Sequence, residues 1–323
     1  MCGILGILSE NEKNLFDKTN QLLKTFNHRG PDNLGVWFDN NDQISLGHLR
    51  LSILDLSSSC NQPMSSSNER YKIVYNGEIY NFKELKLEIG NVKKIKWKSF
   101  TDTEVLLEHI SLFGLENSLH KINGMYAFGL WDKKNKKLIL CRDRFGEKPL
   151  YYFKNNDTFV FSSEISPILK LCPDSNNINY NSILRFCING YKSVKKENQT
   201  FYKKIKELPS GHNLFLKQNK IKLNQYWKPV LNPDPRIDYK NVTENIREKL
   251  INSLKQKLRS DVKLAFTLSG GIDSNSLVSI AKQILNYDVH AFSILNKNKS
   301  YEEKKFINKS VNKLNINHQY IEL

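Results

Sequence analysis

The chain opens MCGILGILSE (residues 1–10), and the reading of Cys2 within this stretch decides the fold. Residues 2–8 read as a first, buried strand. A secretory signal is excluded, because no basic residue precedes the apolar run, which is short and ends at Ser9-Glu10. A myristoylation signal is excluded as well, because it needs glycine directly after Met1. Two readings of Cys2 remain. It is a small apolar residue on a buried strand, or loss of Met1 makes it the N-terminus. The second reading puts a thiol and a free amine on one residue. An α-amine titrates at about 7.7–8.0, so it can take a thiol's proton near neutral pH and activate it as a nucleophile. The rest of the chain has to choose between them.

With 323 residues there is room for two domains and at least one large core. No apolar run approaches the roughly 20 residues that span a membrane. The cysteines stand at 2, 60, 141, 172 and 187, an odd count without paired spacing. That argues against a disulfide framework or a zinc site, and for a reducing, cytoplasmic location. The formal charge of +16 comes from lysines scattered through segments such as NVKKIKWK (91–98) and DKKNKK (132–137). No arginine and aromatic stripe accompanies them, so neither nucleic acid nor a membrane is expected as partner. A general attraction for anionic substrates remains.

Residues 34–38, 44–49, 71–75, 125–131, 137–141, 150–153 and 158–162 read as further short strands, and 12–27 and 102–113 as helices. The second helix opens TDTE, a good capping pattern. LNPDPRIDYKN (231–241) is rich in proline and polar residues and reads as a boundary. The expected division is therefore a first domain over 1–216, a linker over 217–240 and a second domain over 241–323. Beyond the boundary the pattern changes: an amphipathic helix over 241–259, a strand over 262–268, a helix over 274–286, a strand over 289–295, a helix over 301–314 and a strand over 318–323. Such alternation implies βαβ units in a parallel sheet. A parallel sheet on its third strand with few covering helices is unusual, so more chain is expected after Leu323.

LSGGIDS (268–274) joins a strand to a helix. Gly270 and Gly271 let backbone N–H groups approach an anion, Ser269 and Ser274 add hydroxyl donors, and the helix offers its positive end. Asp273 fits a phosphate site once Mg²⁺ lies between it and the phosphates. The lysine of a Walker loop is absent. The alternative is an ordinary glycine-rich turn. The motif SGGxDS resembles the pyrophosphate loop of ATP-pyrophosphatases, which adenylylate a carboxylate or carbonyl. The resemblance implies that Leu268 and Ile294 line the adenine.

Four stretches of the first half answer the question raised by Cys2. HRGPD (28–32) carries Arg29, GHLRLSILD (47–55) carries Arg50, YNGEIYN (75–81) carries Asn76, Gly77 and Glu78, and TDTE (101–104) carries Asp102. Each alone has a plain structural explanation: a surface ion pair, a hairpin turn, an N-cap. Together with Cys2 they supply the parts for glutamine hydrolysis. Arg50 can hold an α-carboxylate, Glu78 and Asp102 an ammonium, and the Asn76 amide with the Gly77 N–H an oxyanion hole.

This set, in this order, resembles the class II glutamine amidotransferase domain, an N-terminal-nucleophile αββα sandwich. Later landmarks match too: GMYAFGLWD (124–132), RDRFGEKPLYY (142–152), FSSEI (161–165) and LPSGH (208–212). Ser166 and Ser210 depart from the usual lysine and proline. A glutaminase domain followed by SGGxDS is the arrangement of glutamine-hydrolysing asparagine synthetases. The resemblance implies that Leu51, Ser52 and Ile53 join the glutamine site and that the second domain begins a doubly wound ATP-pyrophosphatase fold. It implies glutamine, ATP with Mg²⁺ and aspartate as small-molecule partners, no tightly bound organic cofactor, and ammonia passing to a β-aspartyl-AMP. A homodimer is an open alternative. Two other readings stand beside it: an amidotransferase for another carboxylate, such as a uronic acid, or a non-catalytic remnant.

Overall fold

The structure is a computed structural model that describes residues 1–190, 198–232, 238–295 and 303–322. The chain divides into two compact units, Met1–Val230 and Leu231–Leu323.

In the first unit, β1 (Gly3–Ser9) is followed by α1 (Leu15–Lys24), β2 (Asn33–Asp39) and β3 (Ile44–Arg50). Then come β4 (Met64–Ser65), β5 (Tyr71–Ile79), α2 (Phe82–Val92), α3 (Asp102–Phe113) and α4 (Leu115–Lys121). The chain continues through β6 (Gly124–Asp132), β7 (Lys137–Arg142), β8 (Tyr151–Lys154) and β9 (Thr158–Ser162). It closes with α5 (Ile165–Leu171), α6 (Tyr180–Asn189), β10 (Lys206–Glu207), β11 (His212–Lys217) and β12 (Lys220–Gln225). Two antiparallel sheets result, in the orders β10-β8-β9-β1-β3-β2 and β12-β11-β7-β6-β5-β4.

The strand alternation sorts side chains into layers. Ile4, Leu46, Val74, Ala127, Leu140 and Phe161 meet between the sheets. Leu5 and Ile7, one residue out of phase with Ile4, pack outward with Leu22 and Leu23 of α1 and Ile168 of α5. Ile73 and Tyr75 face outward from the other sheet against Leu85 of α2, Leu106 of α3 and Leu119 of α4. The result is the expected αββα sandwich. The Phe161 ring lies over Gly6, its register partner on β1, where any Cβ would fall 2.0 Å from the ring.

Several elements differ from the sequence reading. The helix expected over 12–27 is shorter, because Asn14 takes a left-handed conformation and residues 27–29 close into a separate turn. Residues 220–225, expected to belong to the linker, form β12 and pair with β11 from His212↔Gln225 to Lys217↔Lys220. All six residues are exposed, and the alternation of Ile221 and Leu223 with lysines is too short to mark a strand by itself. The boundary stretch 231–241 and the helix start at 301 lie partly outside the described residues.

The second unit contains α7 (Tyr239–Lys257), β13 (Phe266–Thr267), α8 (Ile272–Ser279), β14 (His290–Leu295), α9 (Lys304–Leu314) and β15 (Asn317–Glu322). Its three strands are parallel, in the order β13-β14-β15. The strand expected over 262–268 pairs only at Phe266 and Thr267. The helix expected over 274–286 runs into a wider π turn at Ile280–Ile284. Leu254, Leu268, Val278, Ala281, Ala291 and Ile307 form this unit's own core.

Candidate active site

Cys2 precedes β1 at one end of the sandwich. A cavity of about 210 Å³ opens there. It is lined by Cys2, by His48 and Arg50 from β3, by Leu51 and Ile53 after it, by Asn76, Gly77 and Glu78 from β5, and by Asp102 from α3. Of the residues assigned to this site from sequence, only Ser52 does not line it; its N–H donates to the Asp32 carboxylate at 2.7 Å.

The Leu51 N–H donates to the Cys2 sulfur at 3.4 Å. The Cys2 carbonyl accepts from Arg29 Nε at 3.0 Å, and Arg29 in turn faces the Glu164 carboxylate at 3.3 Å. Burial pushes the Cys2 thiol up; the Leu51 bond, the N-terminal ammonium and the Lys148 charge pull it back, and Asp102 raises it. Burial likewise lowers the N-terminal ammonium, which in this chain is that of Met1.

Asn76 is 1% exposed, and its Nδ2 has no partner. Burying an unbonded amide donor costs about 1–3 kcal/mol, which marks it as a group held for something else. Gly77 beside it pairs with Tyr126, and a Cβ there would lie 2.4 Å from the Met125 carbonyl oxygen. Only glycine lets β5 and β6 approach so closely.

Asp102 is buried at the start of α3. Its Oδ2 accepts from Ile79 N–H at 2.8 Å and from the Tyr75 hydroxyl at 3.1 Å, and its Oδ1 from the Thr101 hydroxyl at 3.0 Å. Burial raises its carboxyl, and these bonds offset part of the rise. Thr101 is the N-cap and accepts from Thr103 N–H. Glu104 does not close a capping box: its carboxylate takes the N–H groups of Lys98 and Ser99, tying down the preceding loop.

Arg50 lines the cavity and also has partners that the sequence reading did not include. Its Nη1 donates to the Ser57 carbonyl at 2.7 Å and to Asn61 Oδ1 at 2.9 Å, and its Nη2 to the Asp55 carbonyl. The guanidinium thus also holds loop 55–61 over the cavity. Asp55 pins the same loop to the start of α3 by accepting from Phe100 N–H at 2.7 Å. His48 is fully buried, with Nε2 against the Tyr75 carbonyl at 3.1 Å and Nδ1 unpartnered. Burial pushes it down to about 3, so it is neutral.

Two basic lining residues, His48 and Lys148, were not singled out from sequence. Both lie inside quoted motifs, GHLRLSILD and RDRFGEKPLYY. A buried basic group in such a motif is the signal that could have found them.

In the second unit the loop 268–274 forms a tight knot. Ser274 Oγ accepts from Ser269 N–H at 3.1 Å and lies 3.0 Å from Ser269 Oγ, which accepts from Gly271 N–H at 3.2 Å. The Gly270 N–H donates to the Glu303 carboxylate at 2.8 Å. Leu268 is buried and bonded to Phe292 of β14, whereas Ile294 is 62% exposed. Asp273 is exposed in the first turn of α8. Among the described residues no group of three His, Cys, Asp or Glu could hold a metal ion alone. One carboxylate beside phosphate oxygens is nevertheless a sufficient protein share for Mg²⁺, which keeps waters and substrate phosphates as its other ligands.

Residues 1–227 match the model of a glutamine amidotransferase domain, and residues 245–323 that of asparagine synthase. A putative glutamine-hydrolysing asparagine synthetase of Methanocaldococcus jannaschii is 35% identical over 99% of this chain and 64% of its own length. Asparagine synthetase 1 of Bacillus subtilis is 34% identical over 88% of this chain and 44% of its own. The chain thus spans between about two fifths and two thirds of the curated relatives it matches. Among solved structures, the glutamine phosphoribosylpyrophosphate amidotransferase of B. subtilis covers 99% of this chain and 65% of its own, with a TM-score of 0.52 at 17% identity. That likeness shows a shared fold. Cys2, the sandwich and the matched domains agree: the chain belongs to the glutamine amidotransferase family, in the branch that joins this domain to an asparagine synthase domain.

Proposed function

We propose that the first unit hydrolyses glutamine to glutamate and ammonia, with Cys2 as nucleophile once Met1 is removed. The observation that carries this reading is the single cavity in which Cys2, Arg50, Asn76, Gly77, Glu78 and Asp102 meet from separate elements. Arg50 takes the substrate's α-carboxylate, and Glu78 and Asp102 its ammonium. Leu51 and Ile53 line the side-chain path, and Ser52 supports them from outside.

The thiol proton passes to the α-amine of Cys2. The thiolate adds to the side-chain amide carbon, and the oxygen takes the negative charge. Asn76 Nδ2 and the Gly77 N–H are the donors for that oxyanion, and they gain strength as the charge develops. The C–N bond then breaks, and the ammonium of Cys2 returns its proton to the leaving nitrogen, giving ammonia and a thioester. Water, deprotonated by the same amine, adds to the thioester and expels the thiolate as glutamate forms.

The second unit's loop, with Ser269, Gly270, Gly271, Asp273 and Ser274, would take the phosphates of ATP, with Mg²⁺ at Asp273 and the base near Leu268 and Ile294. The acceptor carboxylate is aspartate, whose adenylate the ammonia converts to asparagine with release of AMP. Pyrophosphate leaves in the adenylylation. The test is to supply glutamine and follow glutamate. Hydrolysis that disappears in Cys2→Ala supports the glutaminase; hydrolysis that survives this change rejects it. ATP- and aspartate-dependent asparagine formation tests the acceptor.

A further inference from the structure

Lys148 is the one strongly basic side chain of the cavity to which neither substrate binding nor the oxyanion assigns a role. It sits in the loop after β7, and the fold fixes it from both sides. The Asp143 carboxylate accepts the N–H groups of Phe145, Glu147 and Lys148, each at 3.0 Å, and that of Tyr126 at 3.2 Å. The Arg142 guanidinium takes the carbonyls of Lys148 and Gly146, each at 2.8 Å, and of Leu208 at 2.7 Å, and pairs with Glu207 at 2.7 Å. The Lys148 N–H and carbonyl are both held by buried charged side chains. Lys148 itself is only 6% exposed, and its side chain lines the cavity with Cys2 and Glu78.

Burying an ammonium is costly without compensating negative charge. Three groups face this one favourably: Glu78 from β5, the Cys2 sulfur and Glu147 of its own loop; Arg29 opposes it. Cys2 meets Asp102 from α3, which disfavours a thiolate, and the ammonium of Met1, which favours one; after loss of Met1 its own ammonium takes that place. Arg50 and neutral His48 line the same cavity from β3, with Tyr75 from β5 and Cys60 from the loop. Lys148 is thus a buried cation in the same cavity as the Cys2 sulfur, and its charge works against the rise that burial imposes on the thiol.

We propose that Lys148 is a positioning residue that holds the Cys2 sulfur as its thiolate and orients it in the cavity. The proposal rests on Cys2 being the nucleophile of the glutaminase, but its primary readout, the alkylation of Cys2, does not depend on turnover. Cys2 alkylation by iodoacetamide is measured by peptide mass spectrometry as a function of pH in the wild type, Lys148→Met and Lys148→Arg. Thermal melting is recorded alongside. In Lys148→Met the alkylation profile should move up by about one pH unit, a roughly tenfold loss of reactivity near pH 7. Lys148→Arg should restore most of it.

With glutamine as substrate, the acid limb of kcat/KM should move the same way while KM holds. An unmoved profile in folded Lys148→Met overturns the proposal, as does a rise in KM with the pH limb fixed, which would make Lys148 a substrate ligand. If Lys148→Met does not melt cooperatively, Lys148→Arg decides: a wild-type profile supports the proposal, and lost reactivity in a folded protein overturns it. Glutamine turnover that survives Cys2→Ala would reject the glutaminase mechanism while leaving the alkylation result standing.

Discussion

The Cys2 sulfur lies 3.4 Å from the Leu51 backbone nitrogen, so the residue before β1 is bonded to the residue after β3. The adjacent strands β1 and β3 pair from Gly3↔Leu49 to Leu8↔Ile44, and this register brings the two ends together. Cys2 is therefore placed by a strand ladder rather than by a mobile terminus. Cys2→Ala removes the sulfur and leaves the ladder intact. Glutamine hydrolysis should be abolished, with Tm changed by only a few degrees. Active protein should have an intact mass lacking Met1, because only then is the Cys2 amine free. Active protein that retains Met1 would rule out the amine as base.

Asn76 and Arg50 should separate in steady-state kinetics. Asn76→Ala removes a donor that meets the oxyanion only as charge develops, so kcat should fall about 10²–10³-fold with little change in KM. Arg50→Ala should raise the KM for glutamine. It should also lower stability by at least about 1.5–3 kcal/mol, the contribution of a single hydrogen bond to a charged group, since Arg50 holds loop 55–61 through three of them. A kcat effect at Arg50 alone, paired with a KM effect at Asn76 alone, would contradict both assignments.

His48 sets an acid limit on stability. It is buried and neutral, held down at about 3 by desolvation, while in the unfolded chain it titrates near 6.5. Between these values the unfolded state binds the extra proton, so stability falls as pH drops from about 6.5 towards 3, by at most about 1.4 kcal/mol per pH unit. Above 6.5 the effect is absent. Urea unfolding of His48→Gln should show a shallower acid decline than the wild type. Parallel declines in the two proteins would show that His48 does not titrate on unfolding.

The central strands of the sandwich were readable as short, largely apolar runs, because each has one face towards the other sheet and one towards a helix and is buried on both. Edge strand β12 was missed because KIKLNQ offers only Ile221 and Leu223 in alternation before Asn224-Gln225, and all six residues are exposed. The site residues were readable as types; their partners were not. Nothing local to Arg50 announces that its guanidinium holds a loop five to eleven residues further on. Nothing in RDRFGEK shows that Asp143 and Arg142 fix the backbone of Lys148. Such networks are set by three-dimensional closure, which a one-dimensional pattern does not contain.

Phe161 offers a test of the sandwich itself. A Cβ on Gly6 would lie 2.0 Å from its ring, and one on Gly129 of the opposite sheet 2.3 Å from it. The ring is fully buried and fills the space both glycines leave. Gly6→Ala therefore overpacks this point and should cost about 1–3 kcal/mol. Phe161→Leu removes ring volume and should cost about 1–2 kcal/mol by leaving a cavity. The two changes act on one space, so they should not add: Gly6→Ala in the Phe161→Leu background should cost less, with a coupling of about 0.5–3 kcal/mol. Urea unfolding of the wild type, both single variants and the double variant closes the cycle. Strict additivity would mean that the ring and the glycine do not share a packing site, and the inner layer of the sandwich would have to be redrawn.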